Sequence, residues 1–93
     1  MNKYNVMNIN KTEILQNICY TELVYGRINK KLNAKFSKKY IEKLIFKAIR
    51  ETEENGFEKI GKNYYVTNME YGIRITINSN TFSIITIDKI NKK

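Results

Sequence analysis

A chain of 93 residues with 17 Lys plus Arg, 9 Asp plus Glu and no His carries a formal charge of +8, which marks one small basic domain suited to polyanions. Such a short chain buries only about 60–65% of its unfolded surface, which excludes a large enzyme with an interior pocket; no cofactor is expected. One cysteine, Cys19, and no His exclude an internal disulfide and a Cys/His zinc site, so no metal is expected.

Residues 1–9 are rich in Asn and lack a period; they read as a flexible arm before a single domain over 10–93. No run resembles a secretory leader or approaches the roughly 20 apolar residues of a membrane span, so a cytoplasmic protein without membrane contact is expected. Asn10 and Glu13 have the spacing of a capping box, which starts a helix near Lys11. Ile14, Ile18, Tyr25, Ile28 and Leu32 then follow one helical stripe, so the first helix is expected to continue to about Leu32, with Gly26 as a point of close packing.

A second helix opens at Ser37, a good N-cap, with Phe36 and Ile41 spaced as a hydrophobic staple, and Asn55-Gly56 supplies its stop. Ile41, Leu44, Ile45, Ala48 and Ile49 form its apolar stripe, and Lys39, Lys43, Phe46, Lys47 and Arg50 lie opposite. Residues 35–50 hold six positive charges and one negative, and 51–58 then carry four Glu.

Beyond Gly56 the period changes to two, and residues 63–68, 73–78 and 81–90 read as three strands with tight connections. A four-residue turn over 69–72 points Tyr64 and Val66 inward and Asn63, Tyr65 and Thr67 outward; a one-residue slip exchanges Tyr64 with Tyr65. A two-residue turn at Ser79-Asn80 sets Ile77 opposite Phe82 and Ile75 opposite Ile84, and leaves Arg74 facing Ile85. The expected fold is α+β, with two N-terminal helices packed on one face of a three-stranded antiparallel meander.

Two surfaces could carry chemistry. The outer sheet face collects Tyr65, Arg74, Thr76, Asn78, Thr81 and Ser83, a mixture of stacking plane, guanidinium fork and hydroxyls that suits single-stranded RNA; any solvated sheet face also contains Thr, Ser and Asn. The Lys39, Lys43, Lys47 and Arg50 stripe suits phosphate. Ile, Asn and Lys have A/T-rich codons, so the local arrangement of the lysines is more informative than their number. Phe46 among them is expected at an interface, with a protein partner or a second copy. Cys19 has no His to act as its base and reads as a small core residue.

The segments NICYTELVYGRINKKL (17–32), GKNYYVTN (61–68) and RITINSNTFSIITIDKI (74–90) resemble a family of small proteins from Gram-positive bacteria with A/T-rich genomes, described as a domain of unknown function. That family carries no activity to transfer. The order of helices before an antiparallel meander is similar to the compact ribonuclease fold of barnase, colicin ribonuclease domains and messenger-cleaving toxins, which implies acid-base work on the sheet. The expected function is engagement of RNA or a ribonucleoprotein through the basic helix and the polar sheet face. Should the protein cleave, it is a metal-independent ribonuclease, with Arg74 holding phosphate charge and Tyr65 or Lys62 transferring the proton. The alternative is a non-catalytic protein-binding module, such as a mobile-element-encoded inhibitor of the anti-CRISPR type.

Overall fold

A computed structural model of the chain describes residues 9–90; of the arm expected over 1–9, residues 1–8 lie outside the described residues, and Ile9 packs against the core. Helix α1 (Lys11–Asn17) begins where Asn10 Oδ1 accepts the Glu13 amide at 3.0 Å. Instead of running to Leu32 it stops at Asn17, and Ile18 turns extended with ψ 140°. Cys19 then forms a parallel bridge with Ser83, donating its N–H to Phe82 O at 3.0 Å while its carbonyl accepts from Ile84 N at 2.9 Å. Ile18, Cys19, Tyr20 and Thr21 are all mediocre helix formers, so these two bonds to a distant strand outweigh the local ones a helix would have made. Cys19 is accordingly exposed at a sheet edge, not in the core.

Helix α2 (Val24–Leu32) buries Val24 and Ile28 and ends at Asn33, which takes a left-handed φ of 54°. Gly26, expected at a close approach, is exposed, and a methyl group placed on it meets no atom within 4 Å. Asn29 holds the following loop through Nδ2 to Phe36 O and Oδ1 from Phe36 N. This delivers Ser37, whose Oγ accepts the Tyr40 amide at 3.1 Å and opens helix α3 (Lys38–Glu51).

Helix α3 ends four residues before the Asn55-Gly56 stop read from the sequence. Thr52 Oγ1 donates to Ala48 O at 2.6 Å, and the buried Asn68 donates from Nδ2 to Ala48 O at 3.2 Å and to Thr52 Oγ1 at 3.1 Å. These side chains satisfy the carbonyl that the next helical turn would have used. Asn55-Gly56 belongs instead to a 3-10 turn (Glu54–Gly56).

The sheet has four strands in the order of the chain, all antiparallel: β1 (Phe57–Ile60), β2 (Asn63–Asn68), β3 (Ile73–Asn78) and β4 (Ile84–Lys89). Among the described residues, three α-helices and four strands thus replace the two and three expected. The extra strand β1 is joined to β2 by Gly61-Lys62, with Gly61 at φ 60°, a conformation that favours glycine. The β2–β3 register agrees with the expected one: Tyr65 pairs Thr76, Val66 pairs Ile75, and Val66 is fully buried.

The β3–β4 register does not. Asn78 Oδ1 accepts from Asn80 N and Thr81 N and opens a wider loop, so Ile77 faces Ile84 instead of Phe82. A bulge then puts Ile75 opposite Ile87 and Arg74 opposite Asp88. Ile41, Ile45 and Ile49 of α3 pack with Val66, Ile75 and Ile87 of the sheet in one core.

Candidate nucleic-acid interface

The outer sheet face is built from alternate residues of the strands. One row runs Glu58, Tyr65, Thr76, Thr86, and the next runs Thr67, Arg74, Asp88. Arg74 is exposed, but its Nε donates to Thr67 Oγ1 at 3.2 Å and its neighbour across the ladder is an aspartate. The expectation that Arg74 faces Ile85 is therefore corrected to Asp88; it followed from the two-residue turn. Asp88 in turn takes the Lys31 ammonium at 2.7 Å.

The other residues expected on this face have local duties. Thr76 is only 5% exposed. The Asn78 carbonyl oxygen is committed to its loop, and the Tyr65 hydroxyl accepts from Asn63 Nδ2 at 3.4 Å. Thr81 and Ser83, placed on a strand by the sequence reading, bond to each other at 2.8 Å in the loop. Lys62 sits in the β1–β2 turn, at the Asn63 end of β2, while Arg74 pairs Thr67, about 13 Å further along the strand at some 3.3 Å per residue. The register leaves Tyr65 diagonal to Arg74 on the same face and puts Lys62 at the other end of β2. It also brings Glu58, one of the four Glu of 51–58, opposite Tyr65, so Glu58 and Asp88 outnumber Arg74 on this face.

Helix α3 presents the opposite electrostatics. Lys39, Lys43, Phe46, Lys47 and Arg50 line one shallow depression together with Glu42. Ile41, Ile45, Ala48 and Ile49 are buried beneath them, so this depression faces away from the sheet. Basic helix and polar sheet face therefore lie on opposite sides of a two-layer domain, as two separate surfaces.

Among the described residues no carboxylate is paired with Lys39, Lys43 or Lys47. Arg50 approaches Glu51 at 3.6 Å. Lys38, one position off the stripe, is turned aside to Glu22 at 2.7 Å and over the Tyr25 ring. Glu42, the one acid in the depression, accepts from the Tyr25 hydroxyl at 2.6 Å. Burial, that hydrogen bond and the Glu42 charge push the Tyr25 phenol up to about 12. Burial first, then the Glu42 charge, also raises stacked Tyr20. Phe46 remains 41% exposed at the centre of the cations.

The family model described as protein of unknown function (DUF3781) matches residues 12–88, from the first turn of α1 to the penultimate residue of β4. The chain belongs to this family. No curated protein and no solved structure matches it. The DUF3781 match spans both surfaces, from the α3 stripe to Arg74 and Asp88. Among the described residues of this DUF3781 domain, no group of three His, Cys, Asp or Glu side chains could hold a metal ion, and no helix is long and apolar enough to cross a membrane.

Proposed function

We propose that the domain is an RNA-binding module that holds the phosphate backbone on the exposed side of α3 and does not cleave it. The observation that carries this reading is the row Lys39, Lys43 and Lys47, one ammonium per helical turn, with no carboxylate paired to it among the described residues and ranged beside an exposed phenylalanine. Four residues advance an α-helix by about 6 Å, so the row is a track of evenly spaced cations. Solvated lysines release counterions from phosphates at little desolvation cost, which makes the binding electrostatic and weakly dependent on sequence.

The sheet face supplies a reason to set catalysis aside. Its Arg74 donates from Nε to Thr67 beside Asp88, and Lys62 lies at the opposite end of β2. A stain or label assay on purified protein tests the proposal: labelled RNA should be retained at low salt, released at high salt and recovered intact. Failure to retain RNA at low salt would overturn it, and recovery of shortened RNA would restore the ribonuclease reading.

A further inference from the structure

The lysine row has an aromatic ring on each side. On the flank away from Phe46, Lys43 and Lys47 also border a depression shared with Tyr40, Leu44 and Tyr71. At about 100° per residue, Tyr40 and Phe46, three positions before and after Lys43, lie about 60° to either side of it around the helix. Tyr40 is 49% exposed, and the Phe36 ring rests against it at 4.5 Å between centroids. From there the surface continues into an apolar groove of about 420 Å³ that includes Leu32, Phe36 and Ile73.

Resting on the proposed backbone contact at α3, we infer that the RNA bound there is single-stranded, with its phosphates on Lys43 and Lys47 and an unpaired base lodged against Tyr40 in the groove. The charge pattern selects this occupant. The ligand must be anionic along one edge, to meet lysines that no carboxylate among the described residues pairs, and flat and apolar along the other, to cover Tyr40, Phe36 and Leu44. Nucleotides combine both, and only an unpaired strand can turn its bases sideways from the phosphates to reach a ring; a duplex keeps them stacked inside and offers the same lysines phosphate alone. Tyr71 joins the two depressions: it borders Lys43 and Lys47 on one side, with its hydroxyl donated to Glu51 at 3.0 Å, and lines the apolar groove on the other.

The test compares anisotropy titrations of a short labelled RNA, the same strand in a blunt duplex, and a Glu/Tyr-rich peptide, for wild type, Tyr40→Leu and Tyr40→Phe, each checked for folding by circular dichroism. Wild type should prefer the single strand. Tyr40→Leu keeps the apolar bulk without the ring and should weaken single-strand binding roughly tenfold, the scale of one base–aromatic stack, while leaving duplex binding unchanged; Tyr40→Phe should restore the preference. Equal affinity for both RNA forms, or equal loss of both in Tyr40→Leu, would overturn the inference and leave the backbone reading standing. Preference for the peptide, or no binding to either RNA, would overturn both.

Discussion

Arg74 stands directly across the β3–β4 ladder from Asp88, whose carboxylate is also the acceptor for Lys31 of α2 at 2.7 Å. The edge of the sheet is thus tied to a helix by the Lys31–Asp88 pair, with Arg74 across the ladder and bonded through Nε to Thr67 Oγ1. Arg74→Lys should leave RNA affinity unchanged and alter folding stability by no more than about 1 kcal/mol, because exposed ion pairs contribute little. Urea denaturation and a binding titration on the same preparation check both. A large loss of RNA binding would return the sheet face to the site.

The buried Asn68 is a stronger structural position. Its amide closes the end of α3 through Ala48 O and Thr52 Oγ1, and its Oδ1 accepts the Tyr71 amide at 2.9 Å. Asn68→Ala removes the side-chain acceptor of the Tyr71 amide and leaves Ala48 O and Thr52 Oγ1 only their bond to each other, and should cost about 1–3 kcal/mol, read as a lowered urea midpoint with an unchanged slope. A cost within error of zero would mean that Thr52 alone terminates the helix.

Two glycines should respond in opposite directions. Gly26 lies inside α2 with open space around it, so Gly26→Ala should stabilise by roughly 0.5–1 kcal/mol through helix propensity. At Gly56 a methyl group would run into Thr52 Cγ2 and come within 2.8 Å of Thr67 O, so Gly56→Ala should destabilise. Thermal melts of the two variants side by side make the comparison.

These positions also show which features the sequence carried. The α3 stripe and the β2–β3 register were legible because Ile41, Ile45 and Ile49, and then Tyr64 and Val66, repeat with the period of their own element. The break after Asn17 was not, since Cys19 leaves the helical stripe to pair with Phe82 and Ile84, more than sixty positions away. Strand β1 has four residues, two of them charged, too few to display a period; Gly61-Lys62 was its one local signal.

The β4 register turned on the Asn78 side chain and on Phe82, which takes φ 61° and packs against the core. A two-residue turn ignores both, and the displaced register carried Arg74 with it. Among site residues, Tyr40 went unremarked because it borders the apolar stripe, where a tyrosine reads as packing. Its 49% exposure is set by how α2 and the sheet leave that edge uncovered.

The link between α2 and α3 through Tyr25 and Glu42 should be sensitive to alkali. The folded phenol keeps its proton up to about 12, while an unfolded tyrosine loses it near 10.0. Between those values the folded state binds more protons, so this contribution is complete below about pH 10 and is lost as pH rises toward 12. The stability gap between wild type and Tyr25→Phe should therefore close over that interval. A gap independent of pH would show that the Tyr25 hydroxyl does not hold Glu42.

Contact with RNA through the α3 lysines is read out by the salt dependence of binding. Lys39→Gln/Lys43→Gln/Lys47→Gln removes three cations from a surface with few other contacts, and each phosphate neutralised on a single strand contributes a slope of about −0.7 in log K against log salt. The triple variant should keep its melting temperature, lose most low-salt affinity and show a slope shallower by about 2. A slope and affinity equal to wild type would contradict the account and move the RNA contact off α3.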